Sequence, residues 1–188
     1  MEKFSVKDMM VPLSGYATVS EDSNLREAVK ALKKAREKID PERDRHRAIL
    51  ITDNNNKIVG KLSQLDVIRA LEPKYLKIDD PQSVSRFGFS QDYLKYTLKE
   101  HHLWEKALDD ICEKASKLIV KNFMYTPTEG EFVNESASLN EAIHQLIMGR
   151  HQSLLVTSGN DIVGILRLTD VFRELSNKIN SCDDNLLE

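Results

Sequence analysis

The chain of 188 residues is 40% hydrophobic and 30% charged, the balance of an ordinary globular protein, and its length suits one compact unit or two small halves sharing a core. A net charge of -3 supplies no excess of Lys and Arg to neutralise phosphates, so non-specific nucleic-acid binding is not expected. No apolar run approaches the roughly 18 residues of a membrane span, and Met1 to Met10 lacks the apolar stretch of a secretory signal, so the cytoplasm is the expected compartment.

In chain order, Val6 to Met10 followed by Val11-Pro12 reads as a short turn of helix stopped by proline. Ala17 to Val19 is a short strand. Glu21 to Asn24 supplies cap chemistry, and Leu25, Ala28, Val29 and Leu32 follow at helical spacing. Lys33 to Arg47 is almost wholly charged and broken at Pro41. It reads as a lengthened helix end and a solvated loop, the alternative being that His46 and Arg47 point toward an anion. Ala48 to Thr52, the turn residues Asp53 to Asn56, and Ile58 to Leu62 then make a hairpin. An amphipathic helix with Asp66 in its first turn follows.

Residues 73–119 are longer than a connector needs. Pro73, Pro81 and Gly88 break them, Ser90 is an N-cap, Leu94 and Leu98 share a helical face, and Trp104, Leu108, Ile111, Cys112 and Ala115 form a second stripe. One or two helices are expected here, burying Trp104 against the chain's own core or a second subunit. His101 and His102 are adjacent, point to different helix faces and have no completing ligand set, so they read as surface residues rather than a metal site. Cys112 and Cys182 read as free thiols.

From Val120 the pattern returns. Val120 to Met124 leads into Tyr125-Thr126-Pro127, Val133 takes the strand position, Ser138 the cap, and Leu139, Ala142, Ile143 and Leu146 the helical stripe. Leu154 to Thr157 and Ile162 to Leu166 repeat the hairpin. Lys57 to Leu71 recurs 104 positions later as Asp161 to Leu175, with eight of fifteen residues identical. The helices correspond at an offset of 114 instead, which places ten extra residues of the first half within Lys33 to Arg47. A period of this kind decides the fold. It divides the chain into a first repeat (1–72), a helical insert (73–119), a second repeat (120–178) and a polar tail (179–188) expected to fray.

Read as helix stub, strand, helix, hairpin and helix, each half resembles the cystathionine-beta-synthase (CBS) domain, and the pair resembles the tandem CBS module. The likeness is carried by Met10-Val11-Pro12 and Met124 to Pro127, by the Leu-x-x-Ala-[Val/Ile]-x-x-Leu helices, and by Gly-x-Leu-x-x-x-Asp at Gly60 and Gly164. The resemblance implies an α+β fold of two β-α-β-β-α repeats packed through their sheets about a pseudo-twofold axis. It also implies two clefts that commonly receive adenosine-containing ligands, a disc-like homodimer, and regulation of an unidentified protein partner without resident cofactor or metal.

Ser63-Gln-Leu-Asp66 has two readings. It is a capping box, with Asp66 complementing the helix dipole. Within the family's Gly-x-x-[Ser/Thr]-x-x-Asp motif it is also a nucleotide site, with Ser63 and the helix amides on phosphate and Asp66 on the ribose hydroxyls. In the second copy Arg167 replaces the hydroxyl residue while Asp170 remains; an arginine there either grips phosphates or fills the cleft. Arg47 and His151 each lie thirteen residues before a motif glycine, a position similar to that of phosphate-contacting basic residues in the family's kinase regulatory subunits. The resemblance therefore assigns Asp66, Ser63, Arg47, Tyr125 and Thr126 to the first cleft, and Asp170, Arg167, His151, Val11 and Pro12 to the second. The ligand expected is AMP, ADP or ATP, rather than a cationic one such as S-adenosylmethionine. The rival reading is a dimeric interaction protein with empty clefts, working through the Trp104 face. Nothing resembles a nucleophile with its base, paired acid/base carboxylates or a Gly-rich phosphate loop, so no enzymatic activity is expected.

Overall fold

The computed structural model describes residues 4–37, 48–78, 89–105 and 108–181. His46, Arg47 and Cys182 lie outside these residues. Seven helices and seven strands are found among them, and none of the helices is long and apolar enough to cross a membrane.

The helical spacing of Leu25, Ala28, Leu32 and Ala35 gives α2 (Leu25–Glu37) one buried face. Its start is a reciprocal cap: the Glu27 amide donates to Asn24 Oδ1 and the Asn24 amide to Glu27 Oε2, both at 3.0 Å. That face covers a sheet of β2 (Thr18–Ser20), β3 (Ala48–Thr52) and β4 (Ile58–Ser63), in the order β2-β3-β4. The second half matches it. Ser138 Oγ accepts the Glu141 amide at 3.2 Å and starts α6 (Leu139–Gly149), whose Leu139, Ala142 and Leu146 cover a four-stranded sheet in which β6 lies between β5 and β7. Here β5 is Phe132–Asn134, β6 Ser153–Ser158 and β7 Asp161–Arg167. The α+β repeat fold expected from the sequence is the fold observed.

β1 (Val11–Pro12) belongs to the first repeat but closes the edge of the second repeat's sheet, with Val11 opposite Ile165 and Pro12 opposite Gly164. The exchange is reciprocal. Tyr125, from the second repeat, bridges the edge of β4 through two 2.9 Å backbone hydrogen bonds with Lys61. The helical turns that precede these segments cross as well. Val6 of α1 (Val6–Met9) is buried among Val133, Leu139, Leu154 and Leu166, and Val120 among Ala28, Ile49 and Leu62. Burying such a side chain is worth about 1.5–3 kcal/mol, so each half depends on the other half's opening segment. Leu50, Leu155 and Ile165 pack the sheets together.

This crossing explains the two repeated glycines. A Cβ on Gly60 would lie 2.8 Å from Met124 Sδ and 3.0 Å from the Tyr125 carbonyl oxygen, and one on Gly164 would lie 2.7 Å from Met10 Sδ and 2.8 Å from the Val11 carbonyl oxygen. Only the absence of a side chain lets the exchanged segments approach.

α3 (Gln64–Leu71) and α7 (Leu168–Asn180) follow the hairpins. α7 runs five residues past Leu175, because Leu168, Phe172, Leu175 and Ile179 continue one stripe at spacings of four and three. In the insert Ser90 Oγ accepts the Tyr93 amide at 3.1 Å and starts α4 (Gln91–Glu100). The expected stripe from Trp104 to Ala115 is not one helix. Trp104 and Asp110 have φ of 64° and 53°, so the helical phase breaks twice before α5 (Ile111–Lys117), and Leu108, Ile111 and Cys112 stay exposed. Trp104 is half-buried against its own chain: its indole Nε1 donates to Tyr75 Oη at 3.0 Å and its amide to Glu72 Oε2 at 2.9 Å.

Candidate functional site

β4 ends at Ser63 and α3 begins at Gln64, so Ser63 caps the helix and Asp66 stands in its first turn. The Ser63 amide and hydroxyl both donate to Asp66 Oδ2, at 2.7 and 2.6 Å, and the Asp66 amide donates back to Ser63 Oγ at 3.3 Å. Both contacts to the carboxylate fall on one oxygen. Among the described residues Oδ1 accepts no hydrogen bond, and the half-buried side chain keeps it within reach of a ligand.

Tyr125 is brought to this junction by its pairing with Lys61, two residues before Ser63, and Thr126 follows it, exposed. Two residues that the sequence reading missed hold it there. Glu131, 1% exposed, accepts from the Tyr125 hydroxyl at 2.5 Å, from the Thr128 amide at 3.1 Å, and from Lys61 Nζ. The Lys61 ammonium also lies 4.9 Å from the Tyr125 ring centroid. Burial alone would raise the Glu131 pKa, but the hydrogen bonds from Lys61, Tyr125 and Thr128 and the Lys61 charge outweigh it and hold the carboxyl below its usual value. The Tyr125 phenol is pushed up to about 12, first by burial, then by Glu131 and by the negative charge of Asp66. A sequence signal existed. Lys61 interrupts an otherwise apolar strand where the second copy has Ile165, and Glu131 falls where the first copy has Ala17.

The second cleft differs. Arg167 has no acceptor with which to cap α7, and its guanidinium turns onto Asp170 instead. Nε meets Oδ2 and Nη2 meets Oδ1, each at 2.5 Å, and Arg173 Nη2 adds a 3.0 Å contact to Oδ1. Asp170 is 3% exposed, and both its oxygens are engaged. Of the two roles open to Arg167 in the sequence, the geometry shows it turned onto Asp170. A crevice of about 280 Å³ remains beside this pair, walled on its other side by Met10, Val11 and Pro12. The Tyr16 phenol is also pushed up to about 12, by burial first, with the positive charge of Arg167 opposing and the negative charge of Asp170 adding.

His151 does not line that crevice. Its ring lies over Gly149, where a Cβ would come within 2.0 Å of Nε2, and its amide donates to the Leu146 carbonyl at 3.0 Å. The equivalence of Arg47 with His151 also needs correction. Ala48 pairs with Ser63 and Ser153 with Arg167, so β3 and β6 correspond at an offset of 105, not 104. The first hairpin turn is one residue longer, and His151 therefore matches His46, while Arg47 matches Gln152. Arg47 itself lies outside the described residues. No three His, Cys, Asp or Glu side chains gather as metal ligands among the described residues.

The family model described as CBS domain matches residues 6–73 and 120–177. A CBS domain-containing protein from Bacillus anthracis is similar in structure, with a TM-score of 0.61 at 16% identity over 94% of this chain and 96% of that one. The CBS domain of a bacterial CNNM/CorC family Mg2+ transporter in complex with ATP gives 0.60 at 13% identity, covering 93% and 89%. CBSX2 in complex with AMP gives 0.56 at 17% identity, covering 93% and 97%. No protein of curated function matches the sequence significantly.

Proposed function

Because the chain belongs to the CBS-domain family, with two copies in tandem, we propose that it is a regulatory module that binds an adenine nucleotide in its first cleft and passes occupancy to a partner protein as a change of shape. The observation that carries this reading is the divided use of Asp66: Oδ2 caps α3, and Oδ1 is left for a ribose hydroxyl. The N-terminus of α3 suits the phosphates, and Ser63 reaches them once its hydroxyl turns from Asp66. Tyr125 and Thr126 line the base, and Arg47, on sequence alone, is assigned to the phosphates. Two structural relatives hold AMP and ATP.

The second cleft takes no nucleotide in this reading, since Arg167 occupies the carboxylate a ribose would need. Val11, Pro12 and His151 then have structural roles. The module signals only if its ligand binds one conformation better than another.

Calorimetric titration of AMP, ADP and ATP tests this. One site per chain is expected, with Asp66→Asn weakening binding at least about tenfold and Asp170→Asn leaving it unchanged. Two equal sites, or loss of binding in Asp170→Asn alone, contradict the assignment. A folded protein that binds none of the three favours the interaction reading.

Self-association is favoured by one further observation. The two equivalent helices α3 and α7 leave large apolar side chains in water, Ile68 at 51% and Phe172 at 68% exposure. A homodimer that pairs these faces is expected to become monomeric in Ile68→Asp/Phe172→Asp, read by light scattering.

A further inference from the structure

Away from both clefts, the C-terminal end of α3, the turn after it and α5 enclose a crevice of about 380 Å³. Its floor is apolar, made by Ala70 and Leu71 from the last turn of α3, by Pro73, and by Leu118 just after α5. Its rim is cationic. Lys114 and Lys117, three apart on α5, share one helix face, and Lys74 joins them from the turn.

Lys74 is held in place by donating to the His102 carbonyl at 2.7 Å. Lys117 also meets Glu113 at 2.5 Å, but both side chains are well exposed, and water screens such a pair. The carboxylate in the lining, Glu72, is buried, and its oxygens accept backbone amides, from Trp104 at 2.9 Å and from Lys74 at 3.4 Å. Three ammonium groups, those of Lys74, Lys114 and Lys117, and the one buried carboxylate of Glu72 thus line the crevice.

The volume falls in the range of small-molecule pockets. An apolar floor beneath an ammonium rim fits a ligand that is apolar along its body and anionic at one end. We propose that this crevice is a separate ligand site for a small amphipathic carboxylate, such as a medium-chain fatty acid. The site exists because of the insert, which supplies Pro73, Lys74, Lys114, Lys117 and Leu118. It shares α3 with the first cleft, whose Ser63 and Asp66 stand about 12 and about 7.5 Å from Leu71 along this eight-residue helix. It does not depend on nucleotide binding there.

Trp104 is the only tryptophan of the chain, and its amide rests on Glu72 in the crevice wall, so its emission reports occupancy. The full-length protein is titrated with octanoate, octan-1-ol and octylammonium. Octanoate is expected to change Trp104 emission saturably and to bind at least about tenfold tighter than the other two. In Lys114→Met/Lys117→Met octanoate weakens at least about tenfold, while octan-1-ol binding and the melting temperature stay put. Calorimetry of octanoate against octan-1-ol on the wild type decides the matter if that variant fails to fold. Equal binding of the three probes, no saturable octanoate response, or an unaltered response in the folded double variant overturns the proposal.

Discussion

Arg167 holds Asp170 by both carboxylate oxygens, Nε on Oδ2 and Nη2 on Oδ1 at 2.5 Å each, whereas the matching Ser63 touches only one oxygen of Asp66. The repeat that looks symmetric in sequence is thus asymmetric where a ligand would bind. Arg167→Ser should restore the capping box on one oxygen of Asp170 and leave the other with the exposed Arg173 alone, a contact that a ribose hydroxyl can replace. The expected outcome is a rise from one nucleotide site to two in a calorimetric titration. Folding stability should fall by about 1–3 kcal/mol, less than for a stranded buried charge because Arg173 still contacts Asp170.

Gly60→Ala and Gly164→Ala should both destabilise the fold, by about 1–3 kcal/mol each as overpacking does. The order is predictable. At Gly60 the nearest atom is the flexible Met124 Sδ and the backbone oxygen lies at 3.0 Å, while at Gly164 the Val11 carbonyl oxygen lies at 2.8 Å. Gly164→Ala should therefore show the larger loss in urea unfolding.

The acid limb of the stability curve should carry the mark of Glu131. Its carboxyl lies below the ordinary 4.5 in the folded protein, so the unfolded chain takes up the proton first. Its contribution is complete above about pH 4.5 and disappears as pH falls through the lowered native value. Glu131→Gln should be less stable at pH 7, because the Lys61 ammonium loses its partner, and should lose less than the wild type on going to acid. Parallel unfolding curves for the two proteins would contradict this.

On the alkaline side the sign reverses. Tyr125 and Tyr16 keep their protons to about 12 in the folded protein, against 10 unfolded, so stability is full below pH 10 and declines as pH rises toward 12. Tyr125→Phe should remove its share of that decline. Unfolding curves at pH 9 and pH 11 compare the two slopes.

Much of the site was legible in the chain because the chemistry is local. Ser63 and Asp66 are three apart, and a capping box follows from that spacing wherever a helix begins. The pairing of Lys61 with Glu131 was not legible, since seventy positions separate them and only the crossing of Tyr125 onto β4 brings them together. Trp104 was read on a helical stripe because the apolar spacing continues through it. The left-handed residues Trp104 and Asp110, which break the phase, carry no glycine or proline to announce the turn. The match of Arg47 with His151 failed for a related reason: counting back from a glycine cannot see a turn longer by one residue, while strand pairing fixes it.

The sequence by itself determined the two repeats, the elements in each and the residues at both strand-to-helix junctions. Hydrophobic periodicity, caps and turns act over a few residues and leave their mark in the order of the chain. Only the tertiary structure decided that each repeat lends its opening segment to the other, why Gly60 and Gly164 admit no side chain, and which carboxylate is open. Those outcomes depend on packing between residues far apart in sequence, where a single guanidinium can reach both oxygens of Asp170 or a single Cβ can exclude a strand.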